Sequence, residues 1–277
     1  MMRSMTHFDK ALTDNSPQTD QAAQTPDSAV QTNATTAVGS PSPAPSRTRP
    51  RQSPKPSLRW EKRLWADGHR LVAGVDEVGR GAWAGPLTVG VVVLAPPPCR
   101  TPSGLRDSKL LVEEARERLF APVSRWCTSW AVGHADPEEC DRLGMTASLR
   151  LATRRAFRRL APEFLPDAVV LDGNFDYVTP DAEPSLFDEE RTPPDWTPTV
   201  QTVVKADAKC SSVAAASVLA KVTRDRIMRA DAPCYPAFDF DRNKGYPSPA
   251  HQRALRGYGL TAIHRRSWVY VDDLPWR

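Results

Sequence analysis

Four acids in this chain could do chemistry together: Asp76, Glu77, Asp172 and Asp207. Regular strands point successive side chains to opposite faces, so the adjacent Asp76 and Glu77 converge only where a strand stops. The flanking Gly74, Gly79 and Gly81 give the backbone the freedom to do that. Carboxylates gathered at one rim repel one another, and their pKa values rise unless cations sit between them. Hard oxygen ligands without His or Cys favour Mg²⁺ or Mn²⁺ over zinc. Two such ions about 3.5–4 Å apart activate a water and stabilise the leaving oxygen of a phosphodiester. Taken singly, Asp172 or Asp207 reads more often as a helix or turn cap. The Asp76-Glu77 pair beside Gly79-Arg80-Gly81, a turn rich in backbone N–H groups, shifts the balance toward a metal site next to a phosphate.

The elements that must position these acids follow from the apolar pattern. Leu71–Val75 is a short strand that delivers Asp76 and Glu77. Leu87–Leu94 is a second, β-branched strand, and the short loop between the two predicts an antiparallel pair. Asp107-Ser108 precedes a helix through Leu119, and Thr128–His134 reads as a third strand. From Cys140 to Leu160 apolar residues recur at helical spacing. Arg150, Arg154, Arg155, Arg158 and Arg159 charge the same helix, as a solvated face or a track for phosphates. Ala168–Leu171 is a buried strand ending at Asp172, and Val200–Lys205 is another that delivers Asp207. A helix over Ser211–Met228, a loop at Asn243–Pro247 and a helix over His251–Gly257 complete the order. Strand ends at the rim of a sheet are where α/β proteins place active sites, and three of the four acids fall there. Gly79–Ala84 also fits the G-x-G-x-x-A dinucleotide fingerprint. That fingerprint requires a helix at once, and here Gly85-Pro86 and a strand follow, so it is rejected.

At 277 residues, with 40% hydrophobic and 25% charged, the chain has material for one sizeable core or two small ones. A net charge of +4 permits a nucleic-acid partner without demanding one. No stretch approaches a membrane span, and the N-terminus lacks the apolar core of a secretory signal. The five scattered cysteines form no C-x-x-C pair, which argues for reduced thiols in a cytoplasmic protein and against structural zinc. Residues 1 to about 57, with Phe8 their only aromatic, are too polar to offset their ordering entropy and are expected to be disordered. Their basic end, Arg47, Arg49, Arg51 and Lys55, is a solvated spacer or an arm along a phosphate backbone. A Pro-rich, strongly acidic segment over about 175–198 reads as a loop insertion unsuited to lying along nucleic acid.

These residues resemble a known family, the type 2 ribonucleases H, ribonuclease HII. The resemblance runs from about Leu71 to Trp268. It rests on Gly74–Gly81, Asp107-Ser108-Lys109, Leu171–Asn174, Lys205-Ala206-Asp207, Ala214–Asp225, Lys244–Pro247 and His264–Ser267, all in order. It implies a ribonuclease H-like α/β fold, a mixed sheet flanked by helices with a C-terminal helical portion, spanning 58–277. It implies an endonuclease for RNA–DNA hybrids and for single ribonucleotides in duplex DNA, acting by two-metal-ion catalysis with Mg²⁺ or Mn²⁺. The cut would fall 5′ of the ribonucleotide, in the removal of misincorporated ribonucleotides and primers. Asp76, Glu77, Asp172 and Asp207 match the family's catalytic, metal-binding carboxylates. Gly79, Arg80 and Gly81 match the turn that reads the 2′-OH, the group that separates RNA from DNA. Tyr246 matches a tyrosine that packs on the following sugar, and Lys221 and Arg224 are expected to contact substrate. His251 and His264 fall within matching motifs and read as structural or substrate-positioning residues. Where the family has Pro-Leu or a similar pair, this chain has Ala82-Trp83. A monomer is expected. The alternative is a hybrid-binding protein without hydrolysis, against which the retention of all four acids argues.

Overall fold

In the computed structural model of the protein, residues 55–97, 100–179 and 196–268 are described. Most of the segment expected to be disordered and most of the acidic insertion lie outside these residues.

Valine-rich runs form the sheet. β1 (Val72–Val78) and β2 (Leu87–Leu94) pair antiparallel, with Val75 opposite Val91 and Asp76 opposite Gly90. β3 (Ser129–Ala135) adds antiparallel to the other edge of β2. β4 (Ala168–Asp172) and β5 (Thr199–Val203) run parallel to β1 on its far side, giving the mixed order β3-β2-β1-β4-β5. Every residue of β2 is buried, as befits a strand covered on both faces.

The covers are helices. α1 (Arg59–Ala66) leads in, and α2 (Glu113–Trp126) and α3 (Pro137–Arg158) follow. After the sheet come α4 (Ala206–Lys209), α5 (Ser211–Asp231), α6 (Phe240–Asn243) and α7 (Pro249–Tyr258). Alternation along the strands sorts the core into two sides. Ala73, Val75, Val89, Val91 and Val93 pack with Leu149, Ala152 and Phe157 of α3, whereas Val72, Val92 and Leu94 face the α5 side. The helices approach closely because the sheet offers glycines. A Cβ on Gly90 would lie 2.6 Å from the Ala216 carbonyl oxygen of α5, and one on Gly133 2.0 Å from that of Ala152 in α3. The first ten residues of α5, mostly Ala and Ser, are all buried, and their small side chains allow that contact.

α1 is tied to α5 by Glu61. Its buried carboxylate accepts the Ser212 backbone N–H at 2.8 Å and the Ser212 hydroxyl at 2.7 Å, in the first turn of α5 where negative charge is favoured. α3 starts earlier than its apolar spacing predicts. The cue is the Asp136-Pro137 start with Glu139, whose carboxylate accepts the Asp136 N–H at 2.9 Å. Gly144, at φ 75°, breaks this helix at its eighth residue.

Candidate active site

The four carboxylates meet at one rim. The parallel register of β1 and β4 ends with Val75 beside Leu171, so Asp76 and Asp172 are the next residues on neighbouring strands. Asp207 arrives from beyond β5 through a tight turn, with Lys205 in the left-handed region at φ 58°. That conformation costs a non-glycine residue about 1–3 kcal/mol. The Ala206 N–H donates to Asp172 Oδ1 at 2.5 Å, which locks the α4 turn against β4. The Glu77 N–H donates to Asp76 Oδ1 at 2.9 Å, and both acids stay within β1, which pairs with β2 as far as Val78 and so does not stop at the pair as its apolar run predicts.

The electrostatics at this rim are unfavourable as they stand. Burial, then the charge of Glu77, pushes the Asp76 carboxyl well above its ordinary value, with the Ser217 hydroxyl offsetting part of the rise. Burial and the neighbouring Asp207 raise Asp172 as well. A cation is present already. Lys109 Nζ donates to Asp207 Oδ2 at 3.1 Å. Burial works against its charge, yet Asp76 and Asp207 outweigh that and hold the ammonium above its ordinary value. Among the described residues no three His, Cys, Asp or Glu side chains close on one point. Each acid leans on a protein partner: Asp207 on Lys109, Asp172 on Ala206, Glu77 on Tyr177 and Asp76 on the Glu77 N–H. An all-oxygen set that resists its own charge fits hard divalent cations, which would supply the neutralisation that Lys109 gives only in part.

The glycine turn adjoins the rim, and its two glycines differ. Gly79 has φ 89°, and a Cβ there would lie 2.4 Å from Arg224 Nε and 2.8 Å from the Pro86 carbonyl oxygen, so the fold itself needs glycine. A Cβ on Gly81 would meet nothing within 4 Å. The protein does not need that glycine; only something approaching from outside would. Arg80 is exposed, with Nη1 3.9 Å from Glu77 Oε1. Tyr246 leans over the turn, its hydroxyl accepting the Gly79 N–H at 3.1 Å. Lys221 Nζ lies 5.4 Å from the Tyr246 ring centroid and pairs with Asp225 at 2.7 Å.

Arg224 corrects an expectation. Its side chain is fully buried, with Nε, Nη1 and Nη2 donating to the carbonyls of Pro86, Lys244 and Ala84 at 2.8–2.9 Å. With its donors committed to loop backbone, it braces the turn from behind and has no path to substrate. The arginine face of α3 is likewise partly spent. Arg155 pairs with Glu139 at 2.6 Å, Arg150 Nη1 donates to the Thr179 carbonyl at 3.0 Å, and Arg159 donates to that of Val132.

Two site residues had no assigned role in the sequence. Lys109 stood within the Asp107-Ser108-Lys109 motif, and only the fold brings it to Asp207. Tyr177, at the stem of the insertion, is buried and donates its hydroxyl to Glu77 Oε2 at 2.9 Å. An aromatic beside an acidic loop carries no spacing signal that would have found it.

Comparison with known proteins identifies a family. Residues 73–271 match the family described as Ribonuclease HII. The chain is 49% identical over 211 residues to a ribonuclease HII of Streptomyces avermitilis, covering 76% of this chain and 82% of the relative. It is 44% identical to one of Thermus thermophilus, covering 78% and 95%. Among solved structures, ribonuclease H2 of Pyrococcus horikoshii matches with TM-score 0.53 and 29% identity, covering 73% of this chain and 96% of that one. Ribonuclease HII of Archaeoglobus fulgidus, solved in complex with PCNA, matches with TM-score 0.54 and 27% identity, covering 72% and 95%.

Proposed function

Since the chain belongs to the ribonuclease HII family and is a ribonuclease H enzyme, we propose that it cuts 5′ of ribonucleotides embedded in duplex DNA, and RNA in hybrids, leaving a 3′-hydroxyl and a 5′-phosphate. Family membership sets aside the binding-only alternative. The observation that carries the finer reading is the placing of four carboxylates along one rim, two of them with raised pKa, beside a turn whose Gly81 is free on its outer side.

Asp76, Glu77, Asp172 and Asp207 would hold two divalent ions, Mg²⁺ or Mn²⁺. Such ions supply Lewis-acid chemistry, activating a water and stabilising the leaving oxygen of the phosphodiester. The chain's own residues do the rest. Gly79, Arg80 and Gly81 present backbone to the 2′-OH, and close approach requires the missing Cβ at Gly81. Tyr246, held by the Gly79 N–H, presents its ring to the next sugar, where a 2′-OH would clash; this makes the RNA–DNA junction the preferred site. Lys221, beneath the same ring, adds positive charge toward the phosphates. Arg224 serves only by holding the turn. We read the enzyme as a cytoplasmic monomer whose partner is the nucleic acid.

The test is cleavage of an end-labelled duplex with a single ribonucleotide, beside an all-DNA control, in Mg²⁺ or Mn²⁺. One cut 5′ of the ribonucleotide, absent from the control, is expected. Cleavage confined to long hybrids would remove the roles given to the turn and to Tyr246.

A further inference from the structure

Behind the turn lie two histidines that the chemistry above does not use. His251 and His264 are buried at 0% and 1% exposure, with their Nε2 atoms 2.8 Å apart. Two nitrogens at that distance share one proton. The surroundings decide whose it is.

From one end, the Thr261 backbone N–H donates to His264 Nδ1 at 3.0 Å, with the Thr261 hydroxyl 2.8 Å from the same nitrogen. A backbone N–H can only donate, so that Nδ1 is bare, and neutral His264 carries its proton on Nε2. From the other end, His251 Nδ1 lies 3.0 Å from the Tyr246 carbonyl oxygen. A carbonyl can only accept, so His251 carries its proton on Nδ1 and presents a bare Nε2. The two ends, argued independently, give one answer. His264 donates to His251, and His251 donates to Tyr246.

The packing keeps both rings neutral. Trp83 and Phe240 meet His251 edge-on at 5.5 and 5.2 Å, and Phe238 tilts against His264 at 5.1 Å. Burial lowers His251, while burial, His251 and Arg266 lower His264 to about 3. A second proton would set two N–H groups against each other at 2.8 Å. Trp83 belongs to the pair in which this chain departs from the usual family pattern, and its backbone closes the same pocket through a Trp83 N–H bond of 2.8 Å to the Gly245 carbonyl.

We propose that His251 and His264 are positioning residues, forming a one-way hydrogen-bond relay from Thr261 to the Tyr246 carbonyl that holds the tyrosine ring over the Gly79 turn and so sets the preference for an RNA–DNA junction. Tyr246 is thereby tied at two points, its carbonyl to His251 and its hydroxyl to Gly79. The functional half of the inference rests on the substrate role proposed for Tyr246; the relay itself does not.

The full-length ¹⁵N-labelled protein tests the relay by long-range ¹H–¹⁵N correlation of its imidazoles. The expected result is the less common Nδ1–H tautomer at His251 and the Nε2–H tautomer at His264, both neutral from about pH 5 to 8 given their burial. An Nε2–H tautomer at His251, or a protonated ring in that range, overturns the relay whatever the activity. The second arm compares His251→Asn with His251→Leu. The asparagine amide nitrogen stands where Nδ1 stands and can still donate to the Tyr246 carbonyl; leucine cannot. The readout is the ratio of cleavage at a single embedded ribonucleotide to cleavage in a continuous hybrid. Leucine should lower that ratio about tenfold, the scale of one lost hydrogen bond, and asparagine should restore most of it. An equal fall in both variants overturns the positioning role. A wild-type enzyme with no junction preference, but with the expected tautomers, overturns the substrate role of Tyr246 and the functional half of this inference with it.

Discussion

The rim that carries the acids and the wall behind the Gly79 turn treat buried polar groups in opposite ways. At the rim, Asp76 and Asp172 are desolvated and set against like charge, which the Lys109 ammonium, held on Asp207, offsets only in part. Behind the turn, Arg224 gives three donors to three carbonyls, Arg265 donates to the Gly85 carbonyl at 3.0 Å, and the histidine pair is proton-matched end to end. Preorganised charge at the rim invites a cation. Satisfied polar groups behind it make a rigid wall. The function proposed for the chain, sensing a single hydroxyl, needs both: a site short of positive charge, and a reader that does not move.

The sharpest break of this contrast is Asp76→Asn. It should lower cleavage of the embedded-ribonucleotide duplex about a thousandfold or more, the scale of losing a preorganised charged group. In chelator the same variant should unfold at a higher temperature than wild type, because a buried, repelled charge is gone. The sign with pH follows. A raised folded pKa means the folded chain holds the proton longer, so in the metal-free wild type this carboxyl's contribution to stability falls as pH rises above about 4. The advantage of Asp76→Asn should therefore grow with pH.

On the other side, Arg224→Met should cost about 3 kcal/mol or more, since three buried carbonyls lose their donor together. Urea unfolding would measure it. Two histidines, half-buried His134 on β3 and buried His264 behind the turn, carry the opposite pH sign. His134, by burial and then Arg159, is lowered to about 4, and His264 to about 3. The unfolded chain binds their protons from about pH 6.5 downward. Their contribution to stability should hold above that value and be lost toward pH 4, beginning before any carboxylate with an ordinary pKa titrates.

The glycines separate fold from function. Gly79→Ala should destabilise by about 1–3 kcal/mol through its left-handed backbone. Gly81→Ala should leave the unfolding midpoint in place and still weaken cleavage at a lone ribonucleotide, by about tenfold if one backbone contact is lost. The smallest effect is expected of Tyr177→Phe, which removes one hydrogen bond from Glu77. Mn²⁺ affinity should weaken about three- to tenfold, read by calorimetry without substrate.

The strands were legible because their apolar runs are short and sharply bounded. β2, β4 and β5 lie within a residue or two of their expected ends, while β1 runs three residues past Val75 to Val78, carrying both acids inside the strand. The antiparallel start of the sheet was also visible in the spacing, and its mixed character was implied by the family resemblance. Helix ends were less so. α2 runs on to Trp126 through Pro122 because its last turns are held by packing, which spacing does not record. The four acids could be gathered from strand ends and motifs. What sequence could not separate was touching substrate from bracing what touches it. Arg224 sits in a strong motif beside Lys221, and only its burial reveals that it faces inward. Tyr177 and Lys109 join the site through contacts 100 and 98 residues apart in the chain, a distance at which no periodicity speaks.

The most direct test of the central claim is calorimetric titration of the metal-free full-length chain with Mn²⁺, without substrate, beside Asp76→Asn. The carboxylate rim predicts that wild type binds Mn²⁺ and that the variant loses most of that binding while remaining folded. Equal binding by both proteins, or ribonucleotide cleavage that persists in excess chelator, would contradict it.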